Sequence, residues 1–369
     1  MRRRTSVTDP AAGSRAGFTL IELLVVIVVL AMLVGLLLPA IMGAVKKANQ
    51  AAVTAEINAL SQALEEFHSK YGTYPPSRIV ISETGNYNST YLGTGKNLLA
   101  QRSMAALRKI FPRIQLSTSG AVGPGYDVNG NNTIDSAAYV LTGPECLVLF
   151  LGGIPQKTDA GWAVTGFSKN PVNPFENNLK TTNRTPPLFE FNNGRLVTNI
   201  LNPNYKDGLE FPGYLDSLGA PSETTVLPFY CYFSAYGGVG YDPGDVDFQE
   251  PSSDGNIAQI QGPFRAPNAP GSVASSVAGV VVSPAPNPYT TSSPILTPQP
   301  PTWVNPNKYQ IISAGSDRLF GIGGQFISNG NNRLPLDAAV VTASGQALTS
   351  NTRTVEKDNL TNFASGTLD

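Results

Sequence analysis

The chain has 369 residues, which is enough for one large domain or two ordinary ones with a sizeable core. Its formal net charge is −1 and only 14% of its residues are charged, which argues against nucleic acid as a partner. The chain has a single histidine, His68, and histidine is the commonest residue in acid–base catalysis and metal binding. Most sites of those kinds are therefore not expected. Two cysteines, Cys146 and Cys231, are too few for a disulfide framework. They either pair in an oxidising compartment or, as their apolar neighbours favour, lie buried as two small apolar side chains.

The N-terminal region contains a long apolar run from Leu23 to Val45 with no charged residue. A helix needs roughly 20 apolar residues to cross a bilayer, so this run predicts a transmembrane helix over about 23–45. Several basic residues precede it, namely Arg2, Arg3, Arg4 and Arg15. Positive charge before a first span keeps that end in the cytoplasm. We therefore expect a single-pass protein of the inner (cytoplasmic) membrane, with everything after Lys47 on the far side.

A secretory signal peptide would also combine basic and apolar regions. Here the apolar run is too long, and no clean small-x-small cleavage site follows it. Glu22 stands at the entrance of the run, where an uncompensated carboxylate costs on the order of 3 kcal/mol. An acid in that position indicates a functional role.

Residues 17–22 read Gly-Phe-Thr-Leu-Ile-Glu and follow a short basic leader. This segment resembles the signal of type IV prepilins and of the pseudopilins of type II secretion. The resemblance implies a leader peptide over 1–17, cleavage between Gly17 and Phe18 by a membrane prepilin peptidase, and N-methylation of Phe18. Glu22 becomes the fifth residue of the mature chain and, in that family, meets the new amine of a neighbouring subunit during assembly. A pair between Glu22 and that amine favours one axial register between subunits, because any other register leaves a buried charge unpaired.

The helix is predicted to continue beyond the membrane, so that it occupies 18–71. Apolar residues recur at spacings of three and four, which is one stripe on a helix: Val53, Ile57, Leu60, Leu64, Phe67 and Tyr71. Pro39, one turn after Gly35, predicts a kink or break in the span. Gly72, Pro75 and Pro76 predict a firm end.

Beyond the helix, the sequence predicts a globular α+β head over 72–261, with an antiparallel sheet packed on the long helix. Short helices are expected at Asn97–Phe111 and Pro144–Leu151. Strands are expected at Arg195–Ile200, Phe229–Tyr236 and Tyr309–Ala314. Segment 262–307 is rich in Pro, Ser, Ala and Asn and is interpreted as a loop or partly disordered insertion. Segment 308–369 would hold the C-terminal strand.

Two segments are candidates for calcium. Residues 309–317 and 358–363 resemble the C-terminal strand, turn and acidic end of major pseudopilins, which implies Ca²⁺ at Asp317 and Asp358. About forty residues separate the two aspartates, and Asn359 replaces a second acid. Residues 127–135 place oxygen side chains at alternate positions, as an EF-hand loop does, but lack its glycine and terminal glutamate. We interpret that segment as a polar Asn-rich turn.

No nucleophile elbow, phosphate loop, zinc-protease motif or Cys-x-x-Cys pair occurs in the sequence. One Gly/Pro-punctuated loop contains three acids, Asp242, Asp245 and Asp247, and its composition predicts a solvated turn. A hydrolase that uses a pair of these carboxylates is the alternative. We therefore expect a structural subunit, not an enzyme.

The resemblance favours the G-type major pseudopilin of a type II secretion system, although the head is larger than that type implies. Expected partners are identical or related pseudopilins, the prepilin peptidase and the assembly platform of the inner membrane. The alternatives are a minor pseudopilin or type IV pilus subunit, or a surface-displayed binding or hydrolytic domain that uses a prepilin anchor.

Overall fold

The structure is a computed structural model. It describes residues 19–88, 97–136, 138–159, 161–177, 183–198, 211–218, 227–237, 240–246, 275–277, 280–282, 286–292, 301–335 and 353–369. The chain divides into two compact units, Met1–Ala48 and Asn49–Asp369. Gly17 and Phe18, the predicted cleavage pair, lie outside the described residues, as does Asp247.

Helix α1 runs from Leu20 to Tyr71. The sequence predicted a kink or a break at Pro39. A break is wrong, because the helix is continuous across this residue. Pro39 lacks the N–H that would bond the carbonyl of Gly35, and one missing bond leaves the rest of the helical ladder intact. At its end, the Gly72 N–H donates to the His68 carbonyl at 2.8 Å. Gly72 has φ +68°, the left-handed conformation that commonly ends helices.

The second unit combines two further helices with short strands. The helices are α2 (Asn97–Ile110) and α3 (Gly143–Gly152). The described strands are β1 (Ile79–Ser82), β2 (Ala138–Leu141), β3 (Pro155–Thr158), β4 (Gly161–Val164), β5 (Leu196–Thr198), β6 (Pro212–Tyr214), β7 (Cys231–Ser234), β8 (Ser275–Val277), β9 (Val280–Val282), β10 (Tyr309–Ser313) and β11 (Leu360–Thr361).

All ladders between these strands are antiparallel. Strand β10 is the middle strand of a three-stranded sheet in the order β11-β10-β7. In that sheet Ile312 lies opposite both Cys231 and Thr361. The other described strands form two-stranded pairs, so the head holds several small sheets in place of the single sheet that was predicted.

The core of the second unit forms around the last third of α1. Val53, Ile57, Leu60, Leu64 and Phe67 are at most 1% exposed. They join one apolar cluster with α2, α3 and the inner faces of β1, β2 and β7. Helix α3 is buried along its whole length, and its first turn is capped by Thr142 and Glu145. The α+β fold with a long N-terminal helix, a pilin-like arrangement, is thus confirmed.

Other local predictions differ in detail from the structure. Inside 262–307, predicted as a loop, the hairpin β8–β9 forms, and its second strand is the β-branched run Val280–Val282. Tyr289 and Trp303, from the same segment, are buried in a second apolar cluster. Cys146 and Cys231, by contrast, are both buried, as the alternative favoured by their apolar neighbours predicts.

Candidate functional site

The first turn of α1 is closed by its own side chains. The Thr19 N–H and hydroxyl both donate to Glu22 Oε2, each at 2.8 Å, and the Glu22 N–H lies 3.3 Å from the Thr19 hydroxyl oxygen. This reciprocal pair is a capping box, and a carboxylate at a helix N-terminus also interacts favourably with the helix dipole. The role of Thr19 was not predicted, although Thr-x-x-Glu spacing is the sequence signal of a capping box.

The part of α1 that follows Glu22 is apolar and exposed on every face. Every residue from Leu20 to Asn49 is exposed in this structure, and Leu36 is 78% exposed. An 18-residue window of the helix has a mean hydropathy of 3.1, and α1 is long and apolar enough to cross a membrane. By length and composition this segment could therefore span a membrane.

Within the second unit, Glu56 on α1 is held by three side chains from the head. Tyr230 donates to its Oε2 at 2.7 Å, Tyr214 donates to its Oε1 at 2.8 Å, and the Arg195 guanidinium bonds both oxygens. Burial opposes charge on Glu56, but the hydrogen bonds from Arg195, Tyr230 and Tyr214 hold its pKa below the usual range. Here we call these four residues the Glu56 clamp. It fixes the helix to β6 and to the residues that directly precede β5 and β7, by directional bonds in addition to apolar packing.

The structure brings Asp317 and Asp358 together in one turn. Asp358 Oδ2 accepts the N–H groups of Ser316 and Asp317 at 2.8 and 3.0 Å. Asp317 Oδ1 accepts the Leu319 N–H at 2.9 Å. Gly315 precedes the turn with φ +68°, and a Cβ there would lie 2.2 Å from the Asp358 carbonyl oxygen. Hydrogen bonds from the backbone thus already engage both carboxylates.

Within the described residues, no group of three or more His, Cys, Asp or Glu side chains is arranged to hold a metal ion. Calcium at Asp317 and Asp358 stays a prediction.

The EF-hand-like segment 127–135 forms a polar turn. Asp127 accepts the N–H groups of Asn131 and Asn132, each at 3.0 Å, and Asn132 takes the φ +64° that the motif reserves for glycine. Glu83, from the end of β1, accepts the N–H groups of Val128 and Asp135. Burial raises the pKa of Glu83 to about 8, so this carboxyl is mostly protonated near neutral pH. The loop oxygens are engaged by the loop's own N–H groups, as the turn interpretation expects.

The prediction that 240–247 is a solvated turn is wrong for its described part. Asp242 and Asp245 are 2% and 0% exposed. Asp245 accepts hydrogen bonds from the Ser77 hydroxyl and, at 2.9 and 3.0 Å, from Tyr236. Burial, reinforced by Asp242, raises the pKa of Asp245 to about 8. Pro243–Val246 form a short 3₁₀ turn in contact with β7, and the Gly244 N–H donates to Asp242 Oδ1 at 2.8 Å.

Residues 13–38 match the family model described as the prokaryotic N-terminal methylation motif. The chain therefore carries a type IV pilin-like prepilin signal, which spans Gly17, Phe18, Thr19 and Glu22. No curated protein and no solved structure gives a significant match to the chain.

Proposed function

We propose that the protein is a structural, non-enzymatic subunit of a pseudopilus filament in a type II secretion system. The observation that carries this proposal is the methylation motif at 13–38, with Glu22 at the start of a helix that is apolar on every face. In the membrane, lipid would surround this apolar helix. In the filament, the helices of identical or related subunits would take the place of the lipid.

In this proposal the prepilin peptidase cleaves between Gly17 and Phe18 and methylates the amine of Phe18. The N-terminus faces the cytoplasm, and the head lies outside the inner membrane, because four arginines precede the span. The assembly platform of the inner membrane then inserts the subunit into the filament. Force on the filament passes from α1 to the head, and the Glu56 clamp suits that task because it adds charge-assisted bonds to the apolar contact.

The role of Glu22 would change on assembly. In the isolated chain its carboxylate is occupied by Thr19, 2.8 Å away. In the filament it would accept the methylated amine of the neighbouring subunit, which satisfies two charges that the lipid-excluded bundle would otherwise leave unpaired.

To test this proposal, the full chain is expressed together with its assembly machinery. The intact mass of the protein reports its processing, and electron microscopy reports filament formation. The wild-type protein should lose Met1–Gly17 and gain one methyl group. Glu22→Val should insert and be cleaved normally, because it removes a costly polar group, yet it should not form filaments. Thr19→Ala is the matched control, since it removes the cap and keeps the carboxylate, and it should assemble. Normal filaments from processed Glu22→Val would contradict the pairing role.

A type IV pilus or minor pseudopilin subunit is the second candidate, supported by the size of the head and by the long interval between Asp317 and Asp358. Deleting the gene distinguishes the candidates. Loss of exported enzymes with surface pili retained supports the secretion filament, whereas loss of surface pili alone supports the pilus. If both persist and only a head-dependent binding activity disappears, the chain is an anchored surface domain.

A further inference from the structure

A pocket of about 370 Å³ lies in the second unit, away from the features that the proposed function uses. Its walls come from the segment that follows α1, from α2 and from the end of β7. Its size falls in the range of small-molecule sites. Aromatic and small apolar groups form one part of the wall, namely Tyr74, Pro76, Ala105, Ala106 and Tyr236.

Two guanidinium groups line this pocket. Arg78 is 3% exposed and donates to the Gly244 carbonyl at 3.0 Å. Arg102, on α2, lies over the Tyr236 ring, with its guanidinium carbon 5.0 Å from the ring centroid. One terminal nitrogen of Arg102, Nη1, is buried and has no hydrogen-bond partner among the residues that the structure describes. A buried donor in that state is unfavourable, and a bound acceptor would satisfy it.

The electrostatics of the pocket wall favour a negatively charged ligand. Burial raises the pKa values of Asp245 and Glu145, the two carboxyls that interact with Arg78, to about 8. Burial therefore weakens the negative charge that these two carboxyls place beside Arg78, and the charge of Asp242 acts on Asp245 from the side of Tyr236. The Tyr236 hydroxyl donates to Asp245, and the Tyr236 ring makes a cation–π contact with the Arg102 guanidinium. These two contacts fix the position of the guanidinium.

We propose that this pocket binds a small organic carboxylate, whose anionic group meets Arg102 and Arg78 and whose apolar body packs against Tyr74 and the alanines of α2. A carboxylate matches the planar donor fork of a guanidinium. The volume admits a single ring or a short chain. The site would allow the subunit to respond to, or to retain, a small metabolite outside the assembly contacts of α1.

The test uses the full chain in detergent at pH 7 and follows the ¹⁹F NMR signal of 4-fluorobenzoate, with 4-fluorobenzamide as the uncharged probe. The benzoate signal should broaden with wild-type protein, and unlabelled benzoate should reverse the broadening. Arg102→Gln keeps the approximate length of the side chain and should weaken affinity about tenfold or more, as expected for the loss of a charged hydrogen bond. Lys109→Gln, on an exposed position of the same helix, removes one positive charge outside the pocket and should leave affinity unchanged.

Three outcomes would overturn the proposal: no broadening by wild-type protein, equal broadening of benzamide and benzoate, or equal losses in Arg102→Gln and Lys109→Gln. A melting curve of each variant shows whether the head is folded. If Arg102→Gln is unfolded, competition with the wild-type protein decides, because benzoate must displace the fluorinated probe and benzamide must not. Filament formation does not enter any of these readouts, so the proposed function and this site fail independently.

Discussion

Two stretches of α1 are both rich in apolar residues, and they have opposite surroundings. From Leu23 to Val45 almost every position is apolar and all are exposed. From Val53 to Phe67 apolar residues keep to one stripe, and that stripe is buried under the head. The periodicity of the apolar positions, more than their number, tells the two stretches apart. A stripe predicts a neighbour on one side, whereas an all-round apolar surface predicts an apolar medium.

The largest expected effect uses the same substitution in both stretches. Leu64→Ala should lower the free energy of unfolding by about 2–5 kcal/mol, because Leu64 is fully buried and its loss leaves a cavity. Leu36→Ala, at a 78% exposed position, should change it by less than about 0.5 kcal/mol. Urea unfolding followed by fluorescence measures both, since the two tryptophans, Trp162 and Trp303, are buried in the head. Similar losses for the two variants would contradict the division of α1.

A smaller effect tests the polar side of the buried stretch. Glu56→Gln should destabilise the head by about 2 kcal/mol, because it leaves Arg195 beside an uncharged amide in a mostly buried site. Glu66→Gln, at an exposed helix position, is the control and should have little effect.

The same variant changes the pH dependence. The pKa of Glu56 is lowered in the folded state. Its stabilising contribution is therefore complete above the unfolded pKa, about 4.3, and is lost as pH falls through the folded value. Glu56→Gln should lose less stability on acidification from pH 6 to pH 3 than the wild-type protein does. An unchanged acid profile would mean that the Glu56 clamp contributes no charge-dependent stability.

The smallest expected effect concerns the pH dependence of the free energy of unfolding, which should differ between the two stretches. No residue from Leu23 to Val45 ionises, so the pH response must come from elsewhere in the chain, with the head as its main source. Burial raises the pKa of Glu145 to about 8, which means that stability is lost as pH rises from the unfolded value toward 8. Glu145→Gln keeps an acceptor for Thr142 and should raise stability by about 1 kcal/mol at pH 8. No gain at pH 8, measured by the same urea method, would show that the buried carboxyl adds no penalty.

Sequence patterns predicted the local elements well, because periodicity and turn residues are local signals. The stripe on α1, the helices at α2 and α3 and the strands β7 and β10 lie where the pattern placed them. The Glu56 clamp was not predictable in that way. Glu56 and Arg195 are 139 positions apart, and nothing in the spacing of either residue specifies the other. The burial of Asp245 was missed for the same reason, since its partner Ser77 is 168 positions away.

The order of strands in the three-stranded sheet has a consequence for how the protein folds. Strands β7, β10 and β11 come from three widely separated stretches of the chain, and β10 lies between the other two. Such pairing is slow, because large loops must close before any of its contacts form. Among the described strands, only β11 covers one edge of β10, and it does so after Leu360 and Thr361 have been synthesised. An open edge on a partly made chain is a template for pairing with another molecule. Between the synthesis of β10 and that of β11 we therefore expect this edge to be open to pairing with another molecule.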